Sequence, residues 1–568
     1  MGKTITPSTS ASLQRPPNTT PDHPQAWLKL GRALAAEGRA AEAERAYREA
    51  LKTQPGLRAA RLALAQLLIR HGFPQVAIVE VQTLLDQDPL DADAWLTAGQ
   101  AFRANYQPKE AQMAFSQALS ARSSFDAASY ALASLLLDQG EPENALAVLA
   151  DVPAPNPTAA AQFQQLQARA TAQADGPRLG PAAAEALLLS SLERWPASEG
   201  LHTLLARLRY LRGDPGWSDL LQKAVDQQPQ NLRLVRSCGA ALRNGQQVLQ
   251  ALSLLERTLN TSVSSPAGGH AKSTSANRLI TDLLLEQADC YLSLGDPASA
   301  LAVAQSACAR DPERVRLSRQ LLDAQLSAGC ARDALPVIQE ARERLPNHPR
   351  LLASHITALR AIGDPLGDQM LDLERLVQVH DMPTDLWRSI SRPLAEELAA
   401  LHGEGGAPLD LSVRGGSQTL RSLLNCATPA LVRLRQFFVE ALTAYQASGL
   451  AEPGRWLGGS LKGEPVLVGC WSVRLDPGGF HVNHLHSEGV VSSVFYVSVP
   501  ELSDPADPHA GELGFGAPRF AVPGVGVKRW VRPQPGRLVL FPSWLWHGTR
   551  SFKDKSPRIT VAFDARFR

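Results

Sequence analysis

Small and apolar residues recur along the first two thirds of the chain with the spacing of helices packed in pairs. Ala43, Ala77, Ala111 and Ala145 are evenly spaced, at a period of about 34 residues. Pro55 and Pro89 are separated by one such period, and Trp27 and Trp95 by two. Around the first alanine, Trp27, Leu30 and Gly31 precede it, and Tyr47, Ala50 and Pro55 follow; around the third, Trp95 and Gly99 precede, and Phe115 and Ala118 follow. Such a unit predicts two antiparallel helices, with small residues allowing close approach, an aromatic residue filling the groove and a proline ending the second helix. One unit cannot bury its apolar face alone, so the units stack.

The spacing and residue types resemble the tetratricopeptide repeat, whose usual role implies a protein or peptide partner on the concave face of the array. The same period returns at Ala300 and Ala334, Ala307 and Ala341, and Pro312 and Pro346. Between about 158 and 280 the register weakens: Leu204–Arg212 and Val248–Leu259 read as degenerate helices and Thr261–Ser275 as a flexible loop. An α-solenoid is expected over 24–365, folding independently of the rest of the chain.

Beyond 366 two helical stretches are predicted, Leu371–His402 and Thr419–Ser448, joined by a segment with a loop's composition, Pro408–Thr419. From Val466 the pattern turns to short β-branched and aromatic runs: 466–473, 490–499, 537–541 and 558–563. Their Gly, Pro and Asp punctuation suggests an antiparallel sandwich or barrel.

Composition changes this picture little. Lys+Arg 57 against Asp+Glu 55 leaves a net charge of +2, which gives no electrostatic case for nucleic acid. Six cysteines without a C-x-x-C pair suggest free thiols in a reducing cytoplasm. No apolar run suits a signal peptide or a membrane span, so no membrane partner is expected.

The candidate chemistry lies in the strand-rich segment. His484 and His486, two apart on a strand, point to one face and can converge on one ion. His481 has the opposite parity. His547 stands at a distance as a third ligand, leaving open positions on the ion, and Arg558 lies eleven positions beyond it. By metal chemistry alone this is also a three-histidine zinc face able to activate water. A third possibility is a scaffold whose barrel is catalytically inert.

Arg414–Thr419, Asn483–His486, Ser492–Val497, Phe541–Trp544, His547 and Arg558 together resemble a family of 2-oxoglutarate/Fe(II) oxygenases, over about 395–568. The resemblance implies a double-stranded β-helix (jelly-roll) barrel with flanking helices. It also implies Fe(II) at His484, His486 and His547, 2-oxoglutarate chelated to that iron, and O2 activated to abstract hydrogen from a substrate. Arg558 would pair with the distal carboxylate of 2-oxoglutarate, with Tyr496 and Asn483 as further cosubstrate contacts. The wider superfamily uses H-x-D or H-x-E; a shifted register, His486 with Glu488, would restore that carboxylate. Arg414 reads as an anchor for its loop, Arg474 as a residue of the pocket mouth, and Trp471, Trp544 and Trp546 as barrel packing.

The expected chain is thus multi-domain: a disordered tail (1–23), tetratricopeptide repeats (24–157), partly degenerate repeats (158–365), a helical connector opening the oxygenase module (366–460) and the barrel (461–568). The expected activity is a dioxygenase that hydroxylates a protein or peptide recruited by the repeats.

Overall fold

Ala43, Ala77 and Ala111 are wholly buried, each on the second helix of a pair. In the computed structural model the described residues are 23–36, 39–150, 152, 157–174, 179–264, 274–316, 318–402, 406–419, 422–450, 459–501 and 506–567. Residues 1–22, nearly all of the expected tail, lie outside them, as do 265–273 of the expected loop. The ends of that loop are helical instead, in Val248–Ser264 and Thr274–Ser293.

The chain divides into two compact units, Met1–Leu135 and Leu136–Arg568. In the first, helices Pro24–Ala36, Ala40–Thr53, Arg58–Arg70, Pro74–Leu85, Ala92–Ala104 and Pro108–Ala121 succeed one another as antiparallel pairs. The repeat spacing has a steric cause. A Cβ on Gly31 would stand 2.5 Å from the Tyr47 ring, and one on Gly99 would stand 2.4 Å from the Phe115 ring. Each glycine therefore lets its partner's aromatic ring lie flat against the helix backbone. Adjacent pairs are also clamped by charge: Arg58 donates to both carboxylate oxygens of Asp91 (2.5 and 2.6 Å), which also accepts from the Ala94 amide as the N-cap of its helix.

The second unit continues the helical pairs, from Pro142–Ala150 to Leu373–Leu376, and then carries the strands found among the described residues. These are β1 (Gln378–Asp381), β2 (Val413–Gln418), β3 (Pro465–His481), β4 (Val491–Ser498), β5 (Leu513–Phe515), β6 (Arg529–Val531), β7 (Arg537–Pro542), β8 (His547–Thr549) and β9 (Arg558–Phe567). They form a six-stranded antiparallel sheet, β1-β7-β4-β9-β3-β2, and a three-stranded one, β6-β5-β8. The described strands thus form two antiparallel sheets, without closure into a continuous barrel among them. Helix Pro429–Tyr445 covers the large sheet: Phe438 meets Phe495 at 5.7 Å and Phe563 at 4.5 Å between ring centroids.

Two strands lie where a helical connector was expected. β1 interrupts the predicted helix Leu371–His402; its four residues pair with Arg537–Leu540 of β7, and Arg537 clasps Asp381 at 2.8 and 3.0 Å. So short an edge strand is made by its neighbour rather than by its own propensity. β2 occupies the predicted loop Pro408–Thr419. Its glycines are bulge residues: Gly415 has φ +66°, the pairing with β3 shifts register between Arg414 and Gly416, and a Cβ on Gly416 would stand 2.1 Å from the Arg474 carbonyl oxygen. The helix expected over Thr419–Ser448 is confined to Pro429–Tyr445 with a short π turn after it.

The repeats from Leu136 onward and the sheets are not independent. Arg360, buried on helix Pro349–Ala361, donates to the carbonyls of Gly516 and Gly526 (the latter at 3.0 Å), at either end of the β5–β6 loop. Val522 of that loop sits in a core cluster with Leu322, Leu326 and Ala358, and Leu409 in one with Leu234 and Leu242. Trp546, expected to pack inside the barrel, instead faces the repeats, with the Arg350 guanidinium 4.8 Å from its ring.

Gly99→Val is expected to destabilise the protein by about 2 kcal/mol through overpacking against Phe115, read as a lowered denaturation midpoint by circular dichroism. Gly56→Val, with no atom within 4 Å of its Cβ, should leave the midpoint unchanged. A fragment 395–568 loses β1 and uncovers Val522 and Leu409. It is expected to elute as aggregate in size-exclusion chromatography, whereas 136–568 elutes as a folded species.

Candidate metal centre and cosubstrate pocket

β3 ends at His481, so His484 and His486 lie beyond the strand on which they were expected to alternate. Their common direction comes from the opposite segment. His484 and His547 form an isolated antiparallel bridge, amide to carbonyl both ways, at 2.9 and 3.0 Å. Two residues on, the His486 amide donates to the Ser543 carbonyl at 2.8 Å, and the Ser543 amide donates to that of Val490 at 2.9 Å. The segment 484–490 is thus laid along the β7–β8 turn.

This pairing brings three imidazoles together. Ring centroids are 4.2 Å apart for His484 and His547, 5.1 Å for His484 and His486, and 5.2 Å for His486 and His547. One nitrogen from each lies within 4.8 Å of the other two. His484 Nδ1 donates to the Val482 carbonyl (2.9 Å) and His547 Nδ1 to that of Leu545 (2.9 Å), while His486 Nδ1 faces both carboxylate oxygens of Asp564 (2.9 and 3.0 Å). Carbonyls and carboxylates only accept, so the hydrogen sits on Nδ1 in each ring and the Nε2 lone pair is left for a ligand. The Ser412 hydroxyl, 3.3 Å from His484 Nε2, is the one polar neighbour of these lone pairs among the described residues. Hydrogen on Nδ1 with Nε2 free is the arrangement metal-bound histidines adopt.

The electrostatics agree. Burial, reinforced by the neighbouring His486, lowers His484 to about 3, and burial with the charges of His484 and His486 holds His547 well below the usual histidine range. Both are neutral near pH 7, as ligation requires. Burial also disfavours charge on His486, but the charge and hydrogen bond of Asp564 outweigh it and raise the ring's pKa.

The triad lines a cavity of about 590 Å³, with Asn483, Glu488 and Arg558 also on its wall. Arg558 is 1% exposed and donates from Nη1 to the Gly511 carbonyl at 2.8 Å. Its Nε has no partner among the described residues, nor does the buried Tyr496 hydroxyl, whose ring centre is 5.8 Å from the guanidinium. Tyr496 stands behind Arg558 rather than on the wall, and burial raises its phenol to about 12. Asn483 donates to the Pro518 carbonyl at 3.1 Å, tying the histidine segment to the β5–β6 loop. Glu488 is exposed and outside the triad. His481 is outside it too, within 3.0 Å of the Ser412 hydroxyl. Arg414 does anchor its loop, donating to the carbonyls of Leu411 and Val413. Trp471, expected to pack in the barrel, lines the cavity and stacks on His486 at 5.8 Å between centroids.

Family models match two parts of the chain. Residues 469–564, which hold the triad, Arg558 and Asp564, match the family described as "Putative 2OG-Fe(II) oxygenase". Tetratricopeptide-repeat models match 24–67, 62–111, 102–170 and 285–349. The chain thus matches tetratricopeptide-repeat models toward its N-terminal side and the oxygenase model toward its C-terminal side. Among solved structures, it is similar to a Pseudomonas putida prolyl-4-hydroxylase at 20% identity over 35% of this chain and 97% of that one, with a TM-score of 0.24. A tetratricopeptide protein of Thermus thermophilus matches at 20% identity over 35% and 99%, TM-score 0.27. One from Parabacteroides merdae matches at 12% over 53% and 98%, TM-score 0.30. No curated protein matches the chain.

Asp564 was not foreseen from the sequence, although a signal for it exists. Arg558, Thr560, Ala562 and Asp564 alternate along β9 and all line the cavity, so strand parity counted from Arg558 reaches the carboxylate.

Proposed function

We propose that the protein is a 2-oxoglutarate- and Fe(II)-dependent dioxygenase that hydroxylates a protein or peptide substrate recruited by its repeats. The observation that carries this reading is the pairing, in one cavity, of a three-histidine cluster with a buried arginine whose Nε is left unbonded. His484, His486 and His547 would hold the iron through Nε2. The fit to 2-oxoglutarate rests on one orphaned donor at the cavity wall, Arg558 Nε: it is buried and suits a carboxylate acceptor, and leaving it unpaired is costly. When bound, iron with 2-oxoglutarate and O2 supplies the oxidising power to hydroxylate a C–H bond.

The chain's own residues do the rest. Asp564 orients His486 and fixes its tautomer, and is itself held by the Ser492 hydroxyl at 2.6 Å. It supplies one residue behind the ligand the carboxylate that an H-x-D motif would place on the metal. Trp471 covers His486 and shields it from water. Helix Leu232–Asn244 of the repeats contributes Arg243 and Asn244 to the cavity wall, so a partner on the repeats has a route to the histidines.

His547→Ala is expected to abolish stoichiometric Fe(II) binding, measured by metal analysis, with helical content unchanged; Glu488→Gln should retain the iron. Iron retained by His547→Ala would sink the ligand assignment. Arg558→Met should keep the metal and weaken 2-oxoglutarate by about 2–5 kcal/mol, read by calorimetric titration. A preference for zinc with unchanged 2-oxoglutarate affinity would favour a hydrolase.

A further inference from the structure

Four arginines line the cavity, and they differ in what they are bonded to. Arg558 is fully enclosed. Arg243 pairs with Glu286 at 2.7 Å. Arg414 engages two backbone carbonyls through Nη1, and these are its hydrogen bonds among the described residues. Arg519, in the β5–β6 loop, makes no hydrogen bond or ion pair among the described residues. Its guanidinium lies 5.3 Å from the Phe520 ring centre, and its side chain stays open to the cavity.

The carboxylates nearby are engaged elsewhere. Asp410 holds Arg207 at 2.6 Å and accepts from Asn244 at 2.9 Å, and Asp564 serves His486 and Ser492. Beside Arg519 the repeats carry a ladder of charges: Asp289 with Arg319, and Asp323 with Arg319 (3.3 Å) and Arg350 (3.7 Å). Arg243, Arg319, Arg350 and Arg519 thus stand against Glu286, Asp289 and Asp323, four cations to three anions, and Arg414 adds a fifth cation without a carboxylate. Partial desolvation by the surrounding protein and the fields of Arg243 and Arg319 lower Arg519 to about 10, Asp289 and Asp323 offsetting only part of this, while its side chain remains open. A cation held in such a place lacks its counter-ion within the chain, and an anion from outside relieves it.

We propose that Arg519 and Arg414, with the Glu286-paired Arg243 beside them, form an anion-binding arm of the cavity in which Arg519 and Arg414 receive the carboxylate side chains of an acidic peptide segment. The arm is distinct from Arg558, which is fully enclosed and donates to the Gly511 carbonyl. It names the substrate class for the oxygenase reading and rests on that reading for the chemistry, though not for the binding. A guanidinium fork matches a carboxylate in two parallel hydrogen bonds. The arm lies where repeat helix and β5–β6 loop meet, so an extended segment bound there presents a neighbouring residue to the histidines.

The test uses the full chain and a fluorescein-labelled hexaglutamate peptide, read by anisotropy at low ionic strength. Hexaglutamate is expected to bind and hexalysine not. Arg519→Gln and Arg414→Gln should each weaken hexaglutamate roughly tenfold or more, equivalent to about 1.4 kcal/mol, while Arg388→Gln, an exposed arginine on another helix, should not. 2-Oxoglutarate affinity should be unchanged in Arg519→Gln, and inorganic phosphate should displace the peptide no better than chloride does. His547→Ala should keep peptide binding, so failure of the iron reading would leave this result standing. Circular dichroism checks each variant's fold, and Arg414→Gln carries the test if Arg519→Gln misfolds. The proposal is overturned if hexaglutamate binds no better than hexalysine, or if neither arginine variant weakens it. It is also overturned if phosphate displaces the peptide preferentially, or if Arg519→Gln weakens 2-oxoglutarate instead.

Discussion

Two backbone hydrogen bonds between His484 and His547 hold the site together. They join segments far apart in the chain and set two imidazoles 4.2 Å from each other. The next pairing, His486 to Ser543, delivers the third ring. Every other feature of the centre follows from this short ladder. With the backbone fixed, each Nδ1 finds an acceptor at 2.9 to 3.0 Å, and each Nε2 is left for the shared centre. Side-chain freedom has been removed before any ligand arrives, and such preorganisation is what a metal or cosubstrate site requires of its scaffold.

The same economy operates on charge. Around the histidines the ionisable groups divide their tasks. Asp564 is withdrawn from the centre by His486 and Ser492, which leaves three imidazole donors facing inward. Arg558 has one of its donors met by the Gly511 carbonyl and another left without a partner. A buried cation in that condition is unfavourable in isolation, so its presence at the end of a cavity is informative in a way that the many exposed ion pairs of the repeats are not.

From Leu136 onward the repeats are part of the module that carries the histidines. The β5–β6 loop is fastened by Arg360 at both ends and buries Val522 among repeat side chains, while the Asn483 side chain fastens the histidine segment to the same loop. A displacement of the repeat helices therefore has a short physical path to the histidines: helix Pro349–Ala361, the loop, Asn483, His484.

The repeats and the histidines were legible in the sequence because both are local patterns. A helix pair returns at each repeat whatever its surroundings, since Gly31 with Tyr47 and Gly99 with Phe115 are contacts within one pair. An H-x-H with a distant histidine and arginine stands out by residue type alone. What the sequence left open was settled by partners far along the chain. β1 and β2 are strands because β7 and β3 offer them edges, not because QVHD or VRGGSQ favours extension. Trp546 turns to the repeats because Arg350 is there. Asp564 comes to stand behind His486 through the parity of β9 and the placing of His486 beside it. Arg243 and Arg519, on a repeat helix and a sheet loop remote from it in sequence, meet at one cavity only because that loop is buried against the repeats. Periodicity and residue type report what a segment does with its own neighbours; pairing between distant segments depends on which surfaces remain to be buried once the segments have formed, and that is decided by the tertiary structure.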